Sequence, residues 1–435
     1  MSIAPDTKAL GIDFGTSGAR AIAIDVEGKI QFEQKLIFGF SGLSGTSSEL
    51  PELWKSALFE LLGALPGAIA ATLDSLVING TSGTVLLCNS QGVSTTEPLL
   101  YNDARGQSVA AEVLAIAPAN HTVLSATSSL SKLLWWQREL NWQQTGVPQG
   151  WKLLHQADWL AFLLHGQLGI SDYHNALKLG YDPGALAYPD WLLQSKLSLL
   201  LPEVRSPGGV IAPVTEALAQ RFNLRPTCMV CAGTTDSIAA FLASGVSQLG
   251  EAVTSLGSTL VLKLLSDTRI DDATYGIYSH RLGDRWLVGG ASNTGGAVLK
   301  QFFSGEQLKT LSQQINPHAP SPLTYYPLPK SGERFPISDP KLEPRLMPRP
   351  ESDVEFLHGL LESMARIEFE GYEKLRALGA PQLMRVLTAG GGAQNPAWTA
   401  IRQRRLGVPA TSAQQIEAAY GSALLAQGTA FRHSD

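Results

Sequence analysis

The chain has 435 residues, 44% hydrophobic and 16% charged, which supports two or three domains and argues against wholesale disorder. Its formal net charge of −5 leaves no basic excess to hold nucleic acid or anionic lipid. No uninterrupted apolar stretch approaches the length that spans a bilayer, and the first residues run straight into a strand pattern without room for a leader, so a cytoplasmic chain is expected.

In chain order the reading starts with three short strands. "ALGIDF" (9–14) and "ARAIAIDV" (19–26) alternate around Gly15–Gly18, and Glu27-Gly28 turns the chain into "KIQFEQKLI" (29–37). Asp13 sits oddly on the first of these, because an ionised carboxylate without a partner in an apolar setting costs several kcal/mol. It must face water, a cation or a donor. A helix is expected from Pro51, with Leu53, Trp54, Leu58, Leu61 and Leu62 on one stripe. The strand "SLVING" (75–80) follows and ends in Thr81-Ser82-Gly83-Thr84, and helical patterns such as "SKLLWWQREL" and "ADWLAFLLHG" dominate from there to about residue 200.

Near residue 228 the order changes. "CMVCAG" reads as a strand, "GTTD" as a turn and "DSIAAFLASG" as a helix closed by Gly245. Cys228 and Cys231 form a C-x-x-C, but no second Cys/His pair stands at ligand spacing and a strand turns their sulfurs opposite ways, so buried structural thiols in a reducing compartment are expected. The opening theme then returns in "EAVTSLGSTLVLKLL", again strand, Gly-Ser-Thr turn, strand. Gly257 lies 242 residues after Gly15, too far for a solenoid repeat, so two similar domains are the simplest reading. Ten prolines between Pro317 and Pro350 mark a long loop, too apolar at Tyr325, Tyr326 and Phe335 for a plain linker. A long amphipathic helix runs from Ser352 to Leu378; "MRVLTAGGG" is a strand, "NPAWTAIRQRRLG" a helix, and "EAAYGSALLA" a helix of small residues suited to close packing.

Three Gly-rich turns thus follow strands, at Gly15–Gly18, Gly257–Thr259 and Gly390–Gly392. Successive backbone N–H groups in such turns bind anions, and Ser or Thr hydroxyls add donors. Neither G-x-x-x-x-G-K-[ST] nor G-x-G-x-x-G occurs, so the pattern is not that of a P-loop or a dinucleotide fold. Three turns, one with Asp13 beside it, point to a nucleotide. Asp236, where strand gives way to helix, reads either as a first-turn acid or as a general base kept ionised by the helix N-terminus. Trp398 reads either as core or as a platform for an adenine, while Arg402, Arg404 and Arg405 read as a solvated face. His174 by itself reads as a satisfied structural histidine.

Taken together, the stretches "GIDFGTSGARA", "YNDAR", "SDYHNALKLGYDP", "AGTTDSIAAFLASG", "SLGST", "GGASNTGGAV", "SGERFPISDP", "TAGGGAQNPAW" and "EAAYGSALLA" resemble, in order, the blocks of the FGGY family of carbohydrate kinases. The resemblance implies an α/β chain with the actin-like ATPase fold, two ribonuclease-H-like domains with a cleft between them. It divides the chain into 1–243 plus 417–435, carrying the sugar end, and 244–416, carrying the nucleotide end. The match looks closest to the short D-ribulose kinase branch of photosynthetic organisms. Many xylulose kinases show Met-His-Gly where this chain has Gly80-Thr81-Ser82, which replaces a histidine contact by a hydroxyl.

Carried over residue by residue, the resemblance makes Asp236 the base for the sugar's terminal hydroxyl and gives Asp13 the Mg²⁺–phosphate and sugar end. Asp13 and Asp236 would serve the metal, Gly15 and Thr16 the transferring phosphate. Ser17, Gly18, Ser82, Asp103 and His174 would join the two acids around the sugar. Gly257, Ser258, Thr259, Gly295 and Gly296 would line the phosphate path; Gly391, Gly392 and Asn395 would hold the base, with Trp398 stacked on it. ATP and Mg²⁺ are the implied cofactors, a small sugar the implied partner, with neither nucleic acid nor membrane, and the chain a monomer or homodimer. The expected reaction is phosphorylation of D-ribulose, with D-xylulose as the nearer alternative and an actin-like ATPase switch without a sugar as the more distant one. Residues 13 and 236 are expected to meet at one crevice between lobes, and closure to align sugar with γ-phosphate.

Overall fold

Leu10, Ile12 and Phe14 alternate with smaller residues and form a strand buried at every position except Asp13, at the centre of the first of two six-stranded sheets. The computed structural model describes residues 8–38 and 47–430, which fall into two compact units, 8–243 with 415–430, and Ser244–Gln414.

The strands of the first unit are β1 (Ala9–Phe14), β2 (Gly18–Ile24), β3 (Ile30–Ile37), β4 (Ser75–Gly80), β5 (Val85–Cys88), β6 (Lys152–His155), β7 (Ile170–Asp172), β8 (Glu203–Arg205), β9 (Val210–Pro213) and β10 (Met229–Thr235). The main sheet has the order β3-β2-β1-β4-β10-β9, antiparallel through the opening hairpin and parallel from β1 to β4 to β10. The helix Leu50–Gly63 buries Trp54, Ala57, Leu58, Leu61 and Leu62 as its spacing requires. Two readings need correction. β10 continues through Thr235, so Gly233-Thr234-Thr235 is strand rather than turn and Asp236 already opens the helix, and short strands, β5 paired with β6 and β7 with β8, interrupt the helices that dominate to about residue 200. These pieces have three or four residues each, too short to show an alternating pattern.

The second unit repeats the plan. Its strands are β11 (Glu251–Leu256), β12 (Leu260–Ser266), β13 (His280–Leu282), β14 (Arg285–Ser292), β15 (Arg385–Ala389) and β16 (Ala410–Ser412), in the order β13-β14-β12-β11-β15-β16. Again a hairpin, β11–β12, is followed by a parallel neighbour, β15. The helix Asp353–Ala377, capped by the Ser352 side chain, packs Phe356, Leu357, Leu360, Leu361 and Met364 into this unit's core. The Pro-rich loop is held to itself by isolated antiparallel bridges, Tyr326 with Arg345 and Glu333 with Asp339, and Tyr325, Tyr326 and Phe335 are buried.

The small-residue helix Ala418–Gln427 returns to the first unit and lies on β1 and on the helix Asp236–Ala243. A Cβ on Gly11 would stand 1.9 Å from the Ala419 carbonyl oxygen, and one on Gly421 only 1.8 Å from that of Ala239. Backbone here touches backbone. Gly421→Ala is therefore expected to destabilise the protein by at least about 1–3 kcal/mol, the range for overpacking, and a urea midpoint equal to wild type would contradict the contact.

Candidate active site

The polar residues of the first unit gather where β1, β4 and β10 end. β1 delivers Asp13 and then turns through Gly15–Gly18, closed by the Gly15 N–H donating to the Gly18 carbonyl at 3.0 Å, with Thr16 and Ser17 exposed at its tip. Asp13 pairs in register with Arg20 on β2 and Asn79 on β4. Burial pushes the Asp13 carboxyl up to about 7; Asp236 and Glu417 add to the rise and Arg20 opposes it. Its Oδ1 is buried and has no hydrogen-bond partner. That is a costly arrangement for a carboxylate and marks a place for a cation, a donor or water. Arg20 is shared between Glu33 and Glu417, 2.8 Å from each.

Asp236 opens the helix Asp236–Ala243 directly from β10, partly exposed, and its Oδ1 accepts the Ser237 N–H at 2.7 Å. Both acids thus belong to the first unit, 223 residues apart in the chain, on strand ends that flank β4, rather than to two lobes. His174 is buried, with Nδ1 2.7 Å from the Thr234 hydroxyl, two residues before Asp236. It braces the strand end. Its own turn is capped by Asp172, which accepts from the N–H groups of His174 and Asn175 and from the Asn175 amide. Burial, with Asp158 nearby, raises Asp172 to about 7.

Beyond β4, Ser82 is half-buried at the head of a turn that two lysines flank. Lys132 is fully buried and donates to the carbonyls of Gly83 at 2.7 Å and Leu100 at 2.6 Å; burial lowers its ammonium to about 7. Lys178 lies beside Gly83, where a built Cβ would stand 4.0 Å from its Nζ. Burial lowers Lys178 as well, and the Asp236 charge works against that. Sequence reasoning missed both lysines, although Lys132 sits among Leu130, Leu133 and Leu134 on an apolar helix (Ser129–Glu139) and could have been noticed there. Asp103 is spoken for: Arg105 donates to it from Nε at 2.9 Å and from its own N–H at 2.9 Å, pairs also with Glu97, and stacks over Trp135 at 5.0 Å.

In the second unit three glycine turns meet at one end of the sheet. The Gly296 N–H donates to Gly257 at 2.8 Å, Ala297 to Ser258 at 3.1 Å and Leu260 to Thr294 at 2.8 Å, which stitches Gly257-Ser258-Thr259 to Gly295-Gly296. Gly390, at φ +84°, brings its turn so close that a Cβ would stand 2.7 Å from the Leu256 carbonyl oxygen. Gly391 faces open space.

Three expectations are corrected here. Trp398 is 2% exposed and packed in the core beside Leu256 and Gly392, so it offers no free face to a base. The Asn395 side chain caps the helix Pro396–Leu406, accepting from the Trp398 N–H at 3.0 Å, and donates to Ser312 at 2.8 Å. Arg402 is not on a solvated face: it is fully buried and grips Glu368 with two hydrogen bonds of 2.6 and 2.7 Å, while also donating to Thr388. Arg404 pairs with Glu362, and Arg405 lies over Phe369 at 5.5 Å. The three cysteines are free and buried, as expected for structural thiols, and burial pushes each up to about 12. Among the described residues no helix is long and apolar enough to cross a membrane.

Residues 252–429 match the FGGY family of carbohydrate kinases, C-terminal domain. A xylulose kinase of Escherichia coli (strain K12) is 24% identical over 407 residues, which covers 89% of this chain and 83% of that protein. Among solved structures, a xyloylose kinase from Brucella ovis superposes with a TM-score of 0.83 at 22% identity, covering 97% of this chain and 90% of that one. Plasmodium falciparum glycerol kinase with ADP gives 0.80 at 16% identity, covering 99% and 93%. These likenesses show the fold, the two-domain α/β architecture of actin-like ATPases. Residues 252–429 thus match the C-terminal domain of the FGGY carbohydrate kinases, and over most of its length the chain is similar to xylulose kinases.

The buried arginine generates a stability test. Arg402→Met leaves Glu368 charged in the core and is expected to cost about 3–5 kcal/mol, whereas Arg402→Met with Glu368→Leu recovers much of the loss. Denaturant titration of the two variants decides it; equal stability of the single variant and wild type would remove the ion pair from any structural role.

Proposed function

We propose that the chain transfers the γ-phosphoryl group of ATP to the terminal hydroxyl of a ketopentose, D-ribulose first. The observation that carries the reading is the acidic pair: Asp13, with a buried and unpartnered oxygen, close enough to Asp236 for their charges to interact. Asp236 takes the hydroxyl proton as the sugar oxygen bonds to phosphorus and the bond from phosphorus to the β-phosphate oxygen breaks, releasing ADP. Asp236 stands at a helix N-terminus, with Lys178 near enough for their charges to interact. Ser82 and Lys178 offer donors to sugar oxygens beside it. Thr16 and the Gly15–Gly18 turn offer hydroxyl and N–H donors to the transferring phosphate, and the stitched turns at Gly257–Thr259 and Gly295–Gly296 do the same for the rest of the nucleotide. Gly391, exposed on its turn, is the best placed of the expected base contacts.

The donor set also fits Mg²⁺. That cation prefers one or two carboxylates completed by water and phosphate oxygens, and Asp13 with its orphan oxygen, near Asp236, is such a set. Among the described residues no cluster of three or more His, Cys, Asp or Glu side chains exists, and water and phosphate oxygens would complete the shell. When bound, the ion would neutralise phosphate charge and compensate the buried Asp13.

Gly80-Thr81-Ser82, which sets a hydroxyl where many xylulose kinases have histidine, supports D-ribulose; the names of the relatives support D-xylulose as the second reading. The match of residues 252–429 to a carbohydrate-kinase domain argues against a sugar-free ATPase switch, and three unpaired cysteines fit a cytoplasmic setting. Phosphorylation rates measured across pentuloses, pentoses and pentitols with ATP and Mg²⁺ should peak at D-ribulose; a peak at D-xylulose selects the second reading, and an ATPase indifferent to every sugar rejects both. Asp236→Asn should lower kcat by about 10²- to 10⁴-fold while ATP affinity stays near normal. Undiminished turnover in that variant would end the assignment of the base.

A further inference from the structure

The stretch "SGERFP", within the Pro-rich loop, has no part in the chemistry above, yet its glutamate is the most heavily bonded acid in the second unit. Glu333 is 3% exposed. Its Oε2 accepts from the Ser292 hydroxyl at 2.6 Å and from the Tyr326 hydroxyl at 3.1 Å. Its Oε1 accepts from the backbone N–H groups of Asn293 at 2.7 Å and Arg334 at 2.8 Å. The clasp is reinforced on both sides: the Asn293 amide donates to Gly332 at 2.9 Å, and Arg334 Nε donates back to Asn293 at 2.8 Å.

Every one of these partners other than Tyr326 and the loop itself belongs to the end of β14, at Ser292 and Asn293. The next residues are Thr294, Gly295 and Gly296, whose backbone is stitched to Gly257 and Ser258. A backbone with a glycine at φ +144° has no side chain of its own to hold it, so its conformation has to be imposed from outside. A buried carboxylate with four donors is a rigid clamp, because charge-assisted hydrogen bonds are about twice as strong as neutral ones and an unmet donor in the interior is expensive.

We propose that Glu333 is a positioning residue for nucleotide binding: from the Pro-rich loop it locks the Ser292–Asn293 strand end, and through it the Gly295–Gly296 turn and the paired Gly257–Ser258 turn. The inference rests on the reading of these turns as the nucleotide end. Loss of the clamp loosens the turns without touching the acidic pair of the first unit. Nucleotide affinity should therefore fall while sugar affinity holds.

The test uses the full chain and isothermal titration with ADP and, separately, with D-ribulose or whichever sugar the rate screen selects. Three variants are compared: Glu333→Ala, the isosteric Glu333→Gln, and Gly296→Val, whose Cβ would stand 2.8 Å from the Gly257 carbonyl oxygen. The expected result is at least a tenfold rise in the ADP Kd for Glu333→Ala and for Gly296→Val, a smaller rise for Glu333→Gln, and an unchanged sugar Kd throughout. In turnover the same variants should raise KM for ATP and leave KM for the sugar alone. If Gly296→Val weakens ADP and both Glu333 variants bind it as wild type does, the clamp is refuted while the nucleotide reading stands. If no variant weakens ADP, the nucleotide reading falls and the inference with it. If Glu333→Gln, folded by circular dichroism, loses ADP and sugar affinity in equal measure, the role is general structure and the proposal is wrong.

Discussion

The acidic end of the first unit depends on backbone lying against backbone. The helix Ala418–Gln427 sits on β1 at Gly11 and on the helix Asp236–Ala243 at Gly421, with no space for a Cβ at either glycine. The same helix puts the Ser422 hydroxyl 2.7 Å from the Asn79 amide and takes the Ser75 hydroxyl on the Ala426 carbonyl at 2.8 Å. One small-residue helix therefore contacts the strands bearing Asp13 and Asn79 and the helix that begins with Asp236. Close-packed interiors deform little, so the relation between the two acids follows from that contact.

Charge in that region is close to balanced, and most of it is short of water. Asp13, Asp236 and Glu417 stand on one side, Arg20, Lys178 and the depressed Lys132 on the other. The raised Asp13 and the lowered Lys132 and Lys178 are the signature of burial rather than of simple ion pairing, since pairing would move them the opposite way. Such a setting strengthens any electrostatic interaction formed within it.

The second unit works by other means. Its turns offer backbone donors and almost no titratable side chains, and the charged residues stand behind them as supports. Glu333 clamps the end of β14, and the Arg402–Glu368 pair, with Thr254, Thr388 and Tyr372, ties β11 and β15 to the two helices behind them. The division suits phosphoryl transfer, in which an acceptor hydroxyl needs a base and a nucleotide needs a row of fixed donors.

The strands β1 to β4, β10 to β12 and β15, the three glycine turns, the two repeated hairpins and most helix limits were legible in the sequence, because period-two and period-3.6 patterns and glycine punctuation are local and report burial directly, whereas strands as short as β5 to β8 carry no such pattern. Asp13 was legible for the opposite reason, as a charge that broke such a pattern. What a side chain meets across the fold was not. Arg402 and Trp398 lie on a helix with two further arginines, and nothing local says that Glu368 waits behind one or a sealed core around the other. Lys132 with Gly83, Lys178 with Asp236, and Glu333 with Ser292 and Asn293 come together only across segments about 40 or more residues apart. Local spacing determined which elements form and where they turn; tertiary packing alone decided which polar groups are desolvated together, because desolvation depends on neighbours in space and not on neighbours in the chain.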